Sequence, residues 1–278
     1  MSQKSPARSA QGRFPTGLGS GRLWLTYSLV RREIAGRYRG SALGMLWSML
    51  TPLFMLAVYT FVFGMVFQSR WGDEGEDASM GAFAITLFAG LIVFQSFSEV
   101  INQAPGLVIA NKNYVKKVVF PLEIFPPVLL GSALFHMLVS LLVLFAFMLP
   151  VQGGIHFTAL LLPLVIVPYG FVLLGIAWIL SSLGTYLRDI SQVTGPLSTA
   201  MLFLSPVFFP VAVLPEWLRP FVYLNPIAVP VEQLRKVALF GELPDFATLA
   251  LYAIVGLLVA ALGYLFFQKT RKGFADVV

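Results

Sequence analysis

The sequence predicts an all-α polytopic membrane protein: six transmembrane helices, an N-terminal amphipathic helix before the first, and two short re-entrant helices before the last. Three observations predict it. Only 12% of the 278 residues are charged and 58% are apolar, about half the charge of an ordinary soluble domain. Five windows, 40–69, 78–98, 124–187, 190–215 and 246–268, hold no Asp, Glu, Lys or Arg, and each reaches the ~20 apolar residues that a spanning helix needs. Seven of the eighteen prolines fall between 196 and 230, where an unbroken helix would lose hydrogen bonds and clash repeatedly. A soluble enzyme, a secreted disulfide scaffold and a disordered tail are excluded as whole-chain readings, because a soluble fold of this size has too little interior for so much apolar surface.

Each element follows in order. Residues 1–22 are rich in Ser, Gly and Arg and read as a disordered cytoplasmic tail. In 23–40, Trp24, Tyr27, Val30, Ile34 and Tyr38 recur every three or four residues, with Arg31, Arg32, Arg37 and Arg39 on other faces. Such a helix is too polar to cross and suits the headgroup layer. The first span, 43–67, carries Trp47 near its start and is followed by Trp71, a bracketing pair placed as interfacial anchors would be. An acidic loop, 69–79, leads to a second span, 81–101, and then to 105–121, which carries Lys112, Lys116 and Lys117 and no acid. The long window breaks at Pro150-Val-Gln-Gly-Gly into spans 122–149 and 159–184, followed by a tight turn with Arg188 and Asp189. A fifth span, 192–209, gives way to two short helices, 215–224 and 226–240. Broken helices at membrane depth survive only where protein or a watery cavity shields them, so these read as re-entrant. The last span, 247–267, runs into a basic tail, 269–278. Residues 23–268 thus form one six-span domain. Fifteen of the nineteen Lys and Arg fall on the side of the termini, which the positive-inside rule assigns to the cytoplasm.

No catalytic constellation is visible. The chain has no cysteine and two histidines, and lacks GxxxxGK[ST], HExxH and GxSxG, so no metal, cofactor or phosphate-cradling site is expected. Glu99 reads as a helix-end carboxylate reaching water, with proton coupling as the rival reading. Glu123 sits in a first helical turn, where it favours the dipole. His136 reads as a hydrogen-bonded interior histidine and His156 as a loop residue without a specific role. The Gly36, Gly40 and Gly44 spacing permits close helix approach. A transporter without coupling residues or a nucleotide site must borrow its energy or be a passive pore. Two basic cytoplasmic surfaces, 23–40 and 105–121, suggest docking of a separate ATPase.

Four stretches also carry a resemblance: RREIAGRYRGSALGMLWSMLTPLFMLAVYTFVFGMVF (31–67), NKNYVKKVVFPLEIFP (111–126), RDISQVTGPL (188–197) and NPIAVPVEQLRKVALFGELP (225–244). Together they resemble the membrane (permease) subunit of polysaccharide-exporting ABC transporters, which move O-antigen, capsular polysaccharide or teichoic acid; the first stretch is most similar to O-antigen exporters. The resemblance implies a homodimer in the bacterial inner membrane, bound to two ATPase subunits that hold ATP and Mg, and a lipid-linked polysaccharide substrate of lipopolysaccharide biosynthesis. It further implies that 23–40 is an interface helix and that 105–117 contains the coupling helix. Arg31, Arg32, Arg37, Arg39, Asn111, Lys112, Tyr114, Lys116 and Lys117 would then face the ATPase. The proline-rich pair would be periplasmic, with Glu216, Trp217 and Arg219 near the outer interface.

A sugar chain passing so apolar a subunit needs aromatic rings for its C–H faces. Tyr59, Phe63 and Phe67 recur every four residues on the first span, and Phe208 and Phe209 lie where the fifth span ends. These are candidates for a glycan conduit, against the plainer reading of lipid-facing or packing aromatics. Permeases for drugs or lipids, a membrane glycosyltransferase and a passive channel are the rival functions. Nucleic acid is not an expected partner, since the net charge of +6 is explained by the cytoplasmic face.

Overall fold

The structure, a computed structural model, describes residues 20–62, 80–117 and 120–278. All regular structure among them is helical. Five stretches are long and apolar enough to cross a membrane: Gly44–Val62, Gly81–Ala110, Leu122–Gln152, Phe157–Tyr186 and Phe246–Val277. They contain α2 (Trp47–Tyr59), α3 (Met80–Gln103), α4 (Leu107–Ala110), α6 (Phe125–Gln152), α7 (Leu162–Tyr186), α11 (Phe246–Thr270) and α12 (Phe274–Val277); α1 (Ser20–Arg37) precedes them and α5 (Lys112–Lys117) lies between α4 and α6.

Local chemistry sets the helix ends. The break expected at Pro150 comes slightly later, because a proline this near the terminus removes one hydrogen bond that the last turn can spare. α6 stops at Gly153, whose φ of 76° closes the left-handed cap and whose N–H reaches the Leu149 carbonyl at 3.1 Å. α11 starts at Asp245, whose carboxylate accepts from the N–H groups of Ala247 and Thr248 at 3.1 and 3.2 Å.

α3 is the centre of the bundle. Ala84, Ile85, Leu87, Val93 and Phe97 on it are buried, and α2, α6, α7, α8 (Ile190–Phe203) and α10 (Ala228–Ala238) pack around it. α6 runs antiparallel to α3: a Cβ at Gly81 would meet Val151, and Glu99 contacts His136. The closest helix pair is α7 with α11. Side chains at Gly175, Gly256 or Gly263 would land on the facing backbone, so these glycines permit the approach. Gly36, Gly40 and Gly44, the glycines the sequence singles out, have nothing within 4 Å of a would-be Cβ. Gly40 and Gly44 instead take φ of 87° and 50° in the turn between α1 and α2.

α1 lies alongside the first half of α6. Arg22 meets Glu123, Leu29 packs with Ile124 and Val128, Val30 faces Gly131, and Arg37 meets His136. The seam therefore follows Leu25, Leu29, Val30 and Ile34, while Trp24 and Tyr27 are 55% and 67% exposed. Of the stripe that the spacing picks out, Val30 and Ile34 turn toward α6, Val30 fitting beside its small Gly131, while Trp24 and Tyr27 do not.

The stretch expected as a fifth span, 192–209, contains only α8, a helix of 14 residues, about 21 Å long against a hydrocarbon core of about 30 Å. Beyond it Pro206, Pro210 and Pro215 withhold N–H donors, and one 3₁₀ turn, Val211–Val213, precedes α9 (Arg219–Val222) and α10. Of the two short helices expected here, α9 has 4 residues and α10 has 11. Side chains replace the missing ladder. Asn225 Nδ2 donates to the Met201 carbonyl at 3.1 Å, Tyr252 Oη to Pro226 at 2.6 Å, and Thr158 Oγ1 to Val237 at 2.6 Å.

Candidate functional site

A cavity of about 340 Å³ opens between α2, α3, α6 and α8, next to the end of α1. Its walls change character along the helices. At one end Ser48 and Thr51 of α2, Gln95 and Glu99 of α3, and His136 and Ser140 of α6 line it; at the other are Met55, Tyr59, Phe88, Leu91, Ile92 and Leu202. The period of 3.6 residues makes this unavoidable, because 88, 91, 92, 95 and 99 share one face of α3. A compartment with hydroxyl and amide groups at one end and rings at the other can hold a molecule that is itself part polar and part apolar.

An ion-paired cluster closes the polar end. Glu99 is not a free carboxylate at a helix end: its side chain is 8% exposed and faces the cavity. Its carboxylate accepts from Arg37 Nη2 at 2.5 Å and lies 3.2 Å from His136 Nδ1, which is also 3.0 Å from Arg37 Nη1. A buried carboxylate needs such partners, since desolvating an unpaired charge is prohibitive. The Tyr38 ring packs edge-on to His136 with centroids 6.1 Å apart.

The structure brings together some of the residues that the sequence singles out. Arg32 Nη1 donates to Tyr114 Oη at 3.3 Å, so α1 and α5 meet, and Arg32 and Asn111 share a small recess between α1, α4 and α6. Arg31, Arg39 and Lys112 are exposed at this end. The Asn111 side chain donates to the Leu107 carbonyl at 2.9 Å, and Lys116 and Lys117 close α5. Arg37 is held inward by Glu99. Glu123 is a junction: it pairs with Arg22 at 3.5 Å and Arg271 at 2.7 Å, and its carbonyl accepts from Trp178 Nε1 at 3.2 Å.

At the far end of the bundle Glu216 and Trp217 are exposed, and Arg219 folds back onto the carbonyls of Ala212 and Leu214, each at 3.0 Å. Tyr59 lines the cavity and packs against the main core; Phe208 packs against that core and stacks on Phe203 at 5.6 Å, away from the cavity lining. Phe209 is half-buried. Phe63 and Phe67, like Trp71 and the acidic loop, lie outside the described residues.

Sequence reasoning passes over Arg235. On α10 and 4% exposed, it donates to the carbonyls of Thr86, Pro206 and Val207 at 3.0, 2.5 and 2.8 Å. A Cβ at Gly90 would lie 2.7 Å from its Nη2, so that glycine makes its room. An arginine at the spacing of Val231, Leu234 and Ala238, beside a run of prolines, is the signal that could have found it: prolines free carbonyls, and a guanidinium has five donors to give them.

Comparison with known proteins places this architecture. The family profile of the ABC-2 type transporter matches residues 25–239. Among curated proteins, the chain is 25% identical to the O-antigen export system permease protein RfbA of Myxococcus xanthus over 256 residues, covering 91% of this chain and 95% of that one. It is 23% identical to an RfbA of Klebsiella pneumoniae, over 90% and 93% of the two chains. It is 25% identical to the polysialic acid transport protein KpsM of Escherichia coli, over 88% and 92%. The profile runs from α1 through α10 and takes in every wall of the cavity, and on that ground the chain belongs to the ABC-2 type transporter family of membrane proteins.

Proposed function

We propose that the chain is the permease subunit of an ATP-driven exporter that moves a lipid-linked polysaccharide, O-antigen in the first instance, across the cytoplasmic membrane. The observation that carries this is the end-to-end match to permeases named for O-antigen export, which covers 95% of the Myxococcus protein. The cavity supports it, because hydroxyl-bearing and aromatic walls suit a glycan with a lipid at one end. Capsular polysaccharide is the second reading, favoured by the match to KpsM at the same 25% identity.

In this reading six crossings complete the subunit, with α8 and the proline-rich residues after it supplying the fifth, and α9 and α10 form a periplasmic re-entrant pair. Both termini are cytoplasmic, and two copies of the chain join two ATPase subunits at α1 and α4–α5. Tyr59, Phe63, Phe67, Phe208 and Phe209 contribute to the glycan path between the two copies. No step of ATP chemistry falls to this chain.

The test is to purify the chain with and without its partner ATPase and add lipid-linked glycans of O-antigen and capsule type. The isolated chain should neither bind nor hydrolyse ATP, whereas the complex in vesicles should turn over ATP faster with the matching glycan. Specific turnover by the isolated chain, or a complex indifferent to every glycan, would overturn the reading.

A further inference from the structure

α1 is clamped at both ends by carboxylates of the bundle and by apolar contacts between. At its start Arg22 pairs with Glu123 of the segment leading into α6; at its end Arg37 pairs with Glu99 of α3 beside His136 of α6. Between these points Leu29, Val30 and Ile34 supply the packing. Apolar contacts hold a helix against its neighbour but tolerate sliding and rotation, since they are not directional. A guanidinium fork on a buried carboxylate and an imidazole is directional. The two clamps also differ in surroundings. Arg37, Glu99 and His136 are part of the cavity wall, whereas Arg22 and Glu123 are not. A molecule at the polar end of the cavity therefore touches the groups that fix the end of α1.

We infer that Glu99 is a positioning residue: by holding Arg37 beside His136 it fixes the end of α1 against α3 and α6, and so links the contents of the cavity to the placement of α1. This rests on the reading above that α1 meets the ATPase. Glu99 itself touches no nucleotide and performs no chemistry. Its effect passes through Arg37, and a covalent tie between α1 and α6 can substitute for it.

The chain offers that tie. A Cβ at position 131 would lie 3.5 Å from that of Val30, within the ~3.5–4.5 Å that a disulfide spans, and there is no native cysteine to interfere. Two measurements then test the inference. In the purified chain alone, Glu99→Gln should exchange the amide protons of the last two turns of α1 about tenfold faster. The reciprocal swap Arg37→Glu with Glu99→Arg should restore most of the protection. In the complex with its ATPase, Glu99→Gln should lose most of the glycan-stimulated part of the turnover. Adding Val30→Cys and Gly131→Cys should return that part when oxidised and not when reduced.

Unchanged exchange in Glu99→Gln overturns the positioning role. Faster exchange with full stimulation, or a disulfide that rescues nothing, overturns the link to the cavity. The exchange measurement needs no ATPase. If it gives the expected result while charge changes on α1 leave ATPase binding untouched, the clamp stands and the docking reading falls.

Discussion

Arg235 and Gly90 act as one unit. The arginine satisfies carbonyls from two separate parts of the chain, Thr86 on α3 and Pro206 with Val207 beyond α8, and the glycine leaves space for its Nη2. Arg235→Leu strands the Pro206 and Val207 carbonyls in an apolar interior, at a cost of about 3 kcal/mol, and should lower the melting temperature of the detergent-solubilised protein. Gly90→Ala should act in the same direction but less, since the guanidinium must yield by a few tenths of an ångström. A melting temperature unchanged in both variants would count against this bracing. Tyr59 is the most informative residue of the cavity. Tyr59→Ala with Phe63→Ala should reduce glycan export while leaving membrane abundance and ATPase association intact; normal export at normal abundance would move the path elsewhere. At this scale the sequence is legible where a residue's partners are near in the pattern and opaque where they are distant. His136 reads correctly as a hydrogen-bonded interior residue. Glu99 does not read as paired, because its partners stand 62 residues before it and 37 after it. Arg235 is passed over because its acceptors are backbone carbonyls, announced only indirectly by the prolines nearby.

Charge, length and proline make the helices themselves readable. The apolar windows locate the five long helical stretches, and the prolines announce the broken segment that separates α8 from α10. Two features resist this reading. α8 ends early, at Phe203, because a charge-free window reports what lipid would accept and not where a helix stops. Helix–helix approach depends on which glycines face one another, so the spacing of Gly36, Gly40 and Gly44 misleads while Gly175, Gly256 and Gly263 do the work from two different helices. Gly263→Leu should lower the amount of folded chain in the membrane, because its side chain would meet the backbone of α7 and strain of this kind costs about 1–3 kcal/mol or more. Gly36→Ala, with open space around it, should leave that amount unchanged. On the basic side, reversing Lys112, Lys116 and Lys117 together to Glu should release the ATPase or uncouple export. Each charge alone matters by about 1 kcal/mol or less at an exposed rim, so single changes should be mild. Full transport by the triple variant, with its topology verified in the same cells, would exclude α5 from the contact.

The molecule as a whole is polarised along the bundle. One end gathers α1, α5, the Glu123 junction and the C-terminal helix α12; the other holds α10, the turn at Gly153 and the exposed Glu216 and Trp217. Fifteen of nineteen cations belong to the first end or to the residues that lead into it, so that end should face the cytoplasm. Glu216→Cys and Trp217→Cys, in a chain with no other thiol, should react with an impermeant maleimide from outside intact spheroplasts. Labelling only after lysis would reverse the orientation. Burial is equally uneven: 83% of the core window of the α3 stretch is covered by the rest of the chain, against 11% for the α2 stretch. That contrast bears on how the protein is made. α3 leaves the ribosome before any of α6, α7, α8 or α10 exists, so its cover arrives last. Until α6 has emerged Glu99 lacks His136, and until α10 has emerged Arg235 cannot reach the Pro206 and Val207 carbonyls; a polar group left unpaired in lipid costs several kcal/mol. Maturation therefore cannot proceed as a series of independent helix insertions. The nascent chain must keep α3 in waiting, and a polypeptide cut short before α10 would be a substrate for membrane proteases and not a smaller folded protein.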